Sequence, residues 1–215
     1  MSRRFVARNQ RERILAAVAQ ATVDNGYAGM SVQDVVRKAG VSRRTFYELY
    51  SNKDDAFMAA YHEGATRLLT SVRAAYRTET SFEGMLTAML SEFLNILAAS
   101  PTFAHMCIVD VMAAGPDAIA KRTWVMTEFA TLIDENARRL VGRDVPPPVV
   151  AEILVGGIYE AIYRRIARGE LDQLPALLPD VVQSALLPYI GNEAATTYRR
   201  ELEAAIAARS PVAAA

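Results

Sequence analysis

The chain has 215 residues, 52% of them hydrophobic and 22% charged, with one cysteine, two histidines and a formal net charge of zero. That length and composition allow a real core in one or two domains and exclude wholesale disorder. A lone cysteine excludes an internal disulfide scaffold, and so few cysteines and histidines leave little for a structural zinc site.

Apolar spacing is helical nearly everywhere, and the predicted fold class is all-α. Ser2-Arg3-Arg4-Phe5 glances at a twin-arginine signal, but Arg8, Arg11, Glu12 and Arg13 interrupt any apolar region behind it. Ile14, Val18 and Ala21 share one face of a helix over residues 14–23, which Asn25-Gly26 stops. Ser31 opens a short helix, Val32–Ala39, with Asp34 as its capping-box partner, and Gly40 ends it. Ser42 caps a second short helix, Arg43–Tyr50, and Asn52 caps a third from Lys53 to about Arg77. Two short helices joined only by Gly40-Val41-Ser42 have the sequence form of a helix-turn-helix.

Further helices are predicted at Phe82–Ala99, Thr102–Ala113, Pro116–Val141, Pro147–Arg168 and Asp172–Tyr189, divided by Pro and Gly punctuation. The alanine-rich tail is expected to fray after Ser210-Pro211. The domain reading is therefore a three-helix head over 1–53, a helical bundle body over 54–210 and a frayed tail over 211–215. The longest uncharged stretch, Phe93–Val109, includes Asn95, Ser100, Pro101 and His105, which suits a membrane span poorly. No membrane association is expected, and the cytoplasm is the expected location.

Charge is segregated along this plan. Residues 1–53 hold ten Arg and Lys against four Asp and Glu, a net +6, and the rest of the chain carries −6. A small basic head on a larger acidic body points to a polyanion as the head's partner. In a helix-turn-helix the second helix enters the major groove with its N-terminal residues at base edges. Here that helix begins Arg43-Arg44-Thr45-Phe46-Tyr47. Paired arginines oppose the helix dipole but suit an end that meets DNA, where arginine pairs bidentately with guanine. Thr45 suits a thymine methyl or a phosphate, Tyr47 a phosphate, and Lys53 a backbone phosphate at the next helix start, with Arg8 or Arg11 as further phosphate contacts. Ser31, Gln33 and Ser42 complete the candidate DNA-binding set. Phe46, three residues before Leu49, points inward with Val35, Val36, Ala39 and Val41 as the head's core. Glu48 either faces away, pairs with Arg44, or accepts from a cytosine amine.

Residues Met30 to Asp54, MSVQDVVRKAGVSRRTFYELYSNKD, resemble the helix-turn-helix signature of TetR-type transcriptional repressors, and Ile14 to Tyr27 resembles that family's first helix. The resemblance implies a homodimer with N-terminal DNA-binding heads and a helical body that releases DNA on binding a small molecule. By position it carries DNA contacts onto Gln33, Arg43, Arg44, Thr45 and Tyr47, and matches Lys53 to the family's lysine opening the fourth helix. Leu49 stands where many members have histidine, and Tyr50 where many have phenylalanine.

In the body, large soft side chains suit a pocket for an apolar effector: Met89, Phe93, Phe103, Met106 and Trp124, with Tyr159 as a further candidate and Glu128, His105, Cys107 and Asp110 as the polar residues nearby that could fix a ligand. Cys107 has no flanking positive charge to activate its thiol. Val150, Leu154, Gly157 and Ala161 form an apolar helix face with small residues at its centre. Leu178, Val182 and Leu186 extend it on the next helix, and together they are the candidate dimer interface. Mid-helix glycines at 156 and 157 suggest close approach of another helix or a ligand. The leading function is a dimeric repressor reading a palindromic operator and released by a small effector. An architectural DNA-binding dimer without an effector is the second reading. No nucleophile–base pair, phosphate-cradling loop or metal-ligand spacing is present, so no catalytic residue, cofactor or metal is expected.

Overall fold

The computed structural model describes residues 3–142 and 144–209, and these are helical with no strand among them. The helices are α1 (Arg3–Gly29), α2 (Val32–Ala39), α3 (Arg43–Leu49), α4 (Lys53–Ala75), α5 (Phe82–Ala99), α6 (Pro101–Ile108), α7 (Pro116–Leu140), α8 (Val149–Ala167), α9 (Leu178–Ile190) and α10 (Asn192–Arg209). Short 3-10 helices cover Asp110–Ala113 and Leu171–Leu177. The expected tail at 211–215 lies outside the described residues.

Several elements differ from the sequence expectation, each for a local reason. α1 starts at Arg3 rather than near Ile14, because Arg, Ala, Gln and Glu favour helix even where nothing is buried. The helix expected over Thr102–Ala113 breaks after Ile108 and continues as 3-10. The one expected over Asp172–Tyr189 divides at Leu177, where Pro175 and Pro179 interrupt the backbone ladder and Pro179 suits a new helix start. α10 had no counterpart in the expectation. It buries little beyond Ala195, so its apolar period is faint.

The chain divides into two compact units. The first comprises Met1–Leu69, Ser100–Val125 and Ile166–Gly169. Its core gathers Ile14, Val18 and Ala21 of α1, Val35 and Ala39 of α2, Phe46 of α3, and Phe57, Ala60 and Tyr61 of α4. Val36 and Val41, expected in the core, are partly buried against it, as is Leu49. Met106, Cys107, Val111 and Ala118 belong to the same core, so it draws on α6 and the start of α7. Arg13 Nη2 donates to the Gly40 carbonyl at 2.9 Å, and Lys38 pairs with Asp24 at 2.5 Å, fixing α1 against α2 and its turn.

The second unit comprises Thr70–Ala99, Met126–Arg165 and Glu170–Ala215. α5, α9 and α10 pack together within it, α9 lying against both of the others. Phe82 meets Tyr189 edge-on at 4.9 Å, and Leu86, Leu94, Leu97, Val182, Ala185 and Leu186 are fully buried. By length and composition α5 is apolar enough to cross a membrane, but Met85, Leu86, Met89, Leu90, Leu94 and Leu97 are buried in the protein.

Candidate nucleic-acid interface

Local capping builds the helix-turn-helix. Ser31 Oγ accepts from Asp34 N at 3.2 Å, while Asp34 Oδ2 accepts from Ser31 N at 3.1 Å and from its hydroxyl at 2.6 Å. These bonds hold the Asp34 carboxyl below its ordinary range. Gly40 ends α2 at φ 59°, a left-handed conformation that favours glycine, and a Cβ there would run into the Arg13 guanidinium. Ser42 then opens α3, accepting from Thr45 N at 3.0 Å and lying 2.9 Å from the Thr45 hydroxyl. Both serines expected at the DNA surface thus hold helix starts and remain exposed.

α3 is anchored by Phe46, which is fully buried and has Tyr47 and Tyr50 ring centroids 5.4 and 5.8 Å away. With that residue inward, Arg43, Arg44 and Tyr47 face solvent, Tyr47 at 55% exposure. Gln33 of α2 is exposed as well. The two arginines differ: Arg44 Nε pairs with Glu48 Oε1 at 2.9 Å, whereas Arg43 has no ion pair among the described residues. Of the alternatives for Glu48, the structure shows the pairing with Arg44. Arg8 and Arg11 also have acidic partners, Glu12 at 2.9 Å and Glu63 respectively.

Lys53 has a different setting from the open phosphate contact expected of it. Its Nζ donates to the carbonyls of Tyr27, Ala28 and Met30 at 3.1, 3.2 and 3.1 Å, and lies 5.0 Å from the centroid of the Tyr27 ring. The Tyr27 hydroxyl donates to Asp54 Oδ1 at 2.6 Å, and burial together with that carboxylate pushes the phenol pKa up. Asp55 accepts from Ser51 N at 2.9 Å and gives its own N–H to Asn52 Oδ1 at 2.8 Å. Only the Asn52 cap was visible as local spacing. The Lys53 and Tyr27 contacts join residues more than twenty positions apart, for which the sequence carries no signal.

The candidate effector residues do not gather at one described cavity. Phe103 and Met106 line a pocket of about 470 Å³ in the first unit, with Leu15, Ala16, Ala60 and Gly64, and Arg67 with Glu63 at its polar side. Trp124 is 39% exposed, with Lys121 Nζ 3.9 Å from its ring centroid. In the second unit Met89 is buried, the Phe93 ring lies tilted against Phe129 with centroids 5.2 Å apart, Glu128 pairs with Arg73 at 2.5 Å, and Tyr159 is half-buried. The Cys107 thiol is buried, which pushes its pKa well up.

Of the candidate interface residues, Val150, Leu154 and Ala161 are half-buried and Gly157 exposed, whereas Leu178, Val182 and Leu186 are buried within the chain. The exposed apolar residues nearby are Val149, Ile153 and Leu187. A Cβ built on Gly156 or Gly157 would meet nothing within 4 Å, so no neighbour among the described residues accounts for either glycine.

A capped turn joining two short helices, the second anchored inward by one aromatic and offering arginine and tyrosine outward, defines a helix-turn-helix DNA-binding domain. Residues 14–60 match the model of the family described as bacterial regulatory proteins, tetR family. That match covers the helix-turn-helix segment and places a tetR-type DNA-binding motif near the start of the chain. The chain is 28% identical over 122 residues to the HTH-type transcriptional activator FasR of Mycolicibacterium smegmatis, covering 57% of this chain and 55% of that protein. The match thus spans little more than half of that relative's length. In fold it is similar to the fatty acid degradation regulator FadR from Bacillus halodurans, with a TM-score of 0.73 at 20% identity over 81% of this chain and 97% of that one. It is equally similar to FadR from Bacillus subtilis, solved in complex with stearoyl-CoA, with a TM-score of 0.73 at 17% identity over 84% and 98% of the two chains.

Proposed function

We propose that the protein is a ligand-responsive repressor that acts in the cytoplasm as a homodimer, reads a palindromic operator and is released by a small apolar or amphipathic effector. The observation that carries this reading is the outward face of α3, where Arg43 is unpaired among the described residues and Tyr47 stands beside it on a helix fixed by Phe46. Arg43 reads a guanine edge, Arg44, Thr45 and Tyr47 meet phosphates or neighbouring bases, and Gln33 adds a contact from α2. Two heads related by two-fold symmetry read half-sites about 34–36 Å apart, or a multiple of that spacing.

Dimerisation is supported by the uncovered apolar residues Val149 and Ile153 on α8, and by Gly156 and Gly157, whose missing side chains leave room that no described residue fills. Two mid-helix glycines each cost about 1 kcal/mol relative to alanine, which close packing of a partner helix offsets. The effector proposed is a long acyl chain or its coenzyme A thioester. Support comes from the stearoyl-CoA bound by one structural relative and from the methionine and phenylalanine content of the body. The ligand acts by binding the DNA-free state more tightly than the DNA-bound state.

Selection of duplexes from a random pool by the full chain tests the DNA reading, and an enriched inverted repeat is the expected result. Stearoyl-CoA is then added to the preformed complex, with loss of binding expected. A reporter placed behind the enriched site falls in output for a repressor, and a rise identifies an activator instead. No response to acyl chains or their thioesters removes that effector class.

A further inference from the structure

We propose that Lys53 is a positioning residue, which holds the recognition helix in register through its grip on the end of α1 and gives no hydrogen bond to a DNA phosphate. An ammonium has three N–H donors and no acceptor. All three have partners here, the carbonyls of Tyr27, Ala28 and Met30. Those carbonyls lie at the end of α1, beyond the break at Gly26, whose φ of 68° turns the chain out of the helix. Because the chain leaves the helix at Gly26, these carbonyls lie outside its hydrogen-bond ladder and need donors from elsewhere, which the ammonium supplies. A phosphate contact from Lys53 would have to break at least one of these bonds and strand a carbonyl.

The grip reaches α3 through a short, stiff link. Only Ser51 and Asn52 separate the Tyr50 cap of α3 from Lys53, and both are tied to Asp55. The neighbouring Asp54 accepts from the Tyr27 hydroxyl, giving a second point of attachment to the same stretch of chain. At the other end, Arg13 of α1 holds the Gly40 carbonyl just before α3 begins. The recognition helix is thus suspended between two attachments to α1, one at each end, and Lys53 supplies the ammonium of the second. Loss of that ammonium leaves the outward cations of α3 in place but lets the helix shift.

The proposal rests on the DNA-reading function above, and the test separates the two. The full-length wild type, Lys53→Met and Tyr27→Phe are titrated with the duplex that the wild type enriches and with a random duplex, across a salt series well below the melting temperature. A phosphate contact contributes about 0.9 to the slope of log affinity against log salt, whatever the sequence. The expected result for Lys53→Met is an unchanged slope on both duplexes and an enriched-to-random affinity ratio reduced about tenfold, comparable to one lost base contact. Partial unfolding would lower both affinities alike and leave that ratio unmoved. Tyr27→Phe removes no cation and is expected to lower the ratio in the same direction by a smaller factor. If Lys53→Met does not fold, Lys53→Gln, which removes the charge but keeps N–H donors for the carbonyls, decides by the same slope and ratio.

A slope shallower by about 0.9 with equal losses on both duplexes overturns the proposal and restores the phosphate contact. An unchanged ratio in the folded variants overturns it too. A wild type that enriches no sequence overturns the DNA reading itself, and this proposal with it.

Discussion

Arg44 Nε donates to Glu48 Oε1 one helical turn later at 2.9 Å, while the adjacent Arg43 has no acidic partner among the described residues. Neighbouring arginines in the first turn of one helix are therefore unequal before any DNA arrives. Arg43→Ala is expected to cost about 1–3 kcal/mol on the enriched duplex and to relax base preference at one position of each half-site. Arg44→Ala should cost less and act similarly on all sequences. Equal losses for Arg43→Ala on enriched and random duplexes would remove it from base readout.

Glu48→Gln releases Arg44 and deletes a negative charge from the DNA-facing helix. Affinity for random duplex should rise and the salt dependence steepen, since one more cation becomes available to phosphate. An unchanged salt slope would mean that Arg44 is held elsewhere.

Gly64 on α4 sits beneath the Phe103 ring of α6, and a Cβ at that position would collide with it. Gly64→Ala should destabilise the first unit by about 1–3 kcal/mol, the usual cost of overpacking. Adding Phe103→Ala should recover part of that loss in a double-mutant cycle followed by urea unfolding. Strict additivity of the two changes would show that the ring yields without strain.

Asp110 is buried, with Oδ2 2.8 Å from His105 Nδ1. Burial pushes its carboxyl pKa above the ordinary range, and His105 draws it part of the way back. A carboxyl raised on folding contributes stability in full below its unfolded pKa, and that contribution is lost as pH rises through the folded value. The stability difference between wild type and Asp110→Asn should therefore move against the wild type on raising the pH through that window, then level off. Denaturant unfolding at a series of pH values reads this directly. A difference that grows in favour of the wild type would mean that His105 outweighs burial.

Gly157→Leu places bulk where no described residue lies within 4 Å of a Cβ, so the monomer should fold normally. Sedimentation should show a dimer for the wild type and weakened association for this variant. A monomeric wild type at micromolar concentration would overturn the homodimer.

Legibility followed the range of the interactions. The Ser31–Asp34 box, the Gly40 stop, the Ser42 cap and the Asn52 cap span three or four residues, and each stood in the sequence where the structure has it. Phe46 was placed inward by spacing alone. The partners of Lys53 lie more than twenty residues away, and nothing near position 53 marks them. The body was read less completely because its helices are apolar on several sides. Spacing alone did not tell that Val182 and Leu186 face inward while Ile153 and Leu187 face out. α10 was missed for the opposite reason, since it buries too little to leave a pattern.

The core beneath the recognition helix is shared with Met106, Cys107, Val111 and Ala118. It follows that the reading head is not a cassette ending where its motif ends. A chimera joined after residue 53 would strip α6 and the start of α7 from that core, leaving apolar surface to aggregate. An exchange of operator specificity between such regulators would have to substitute residues on the outer face of α3, or transplant the 101–118 segment along with the head.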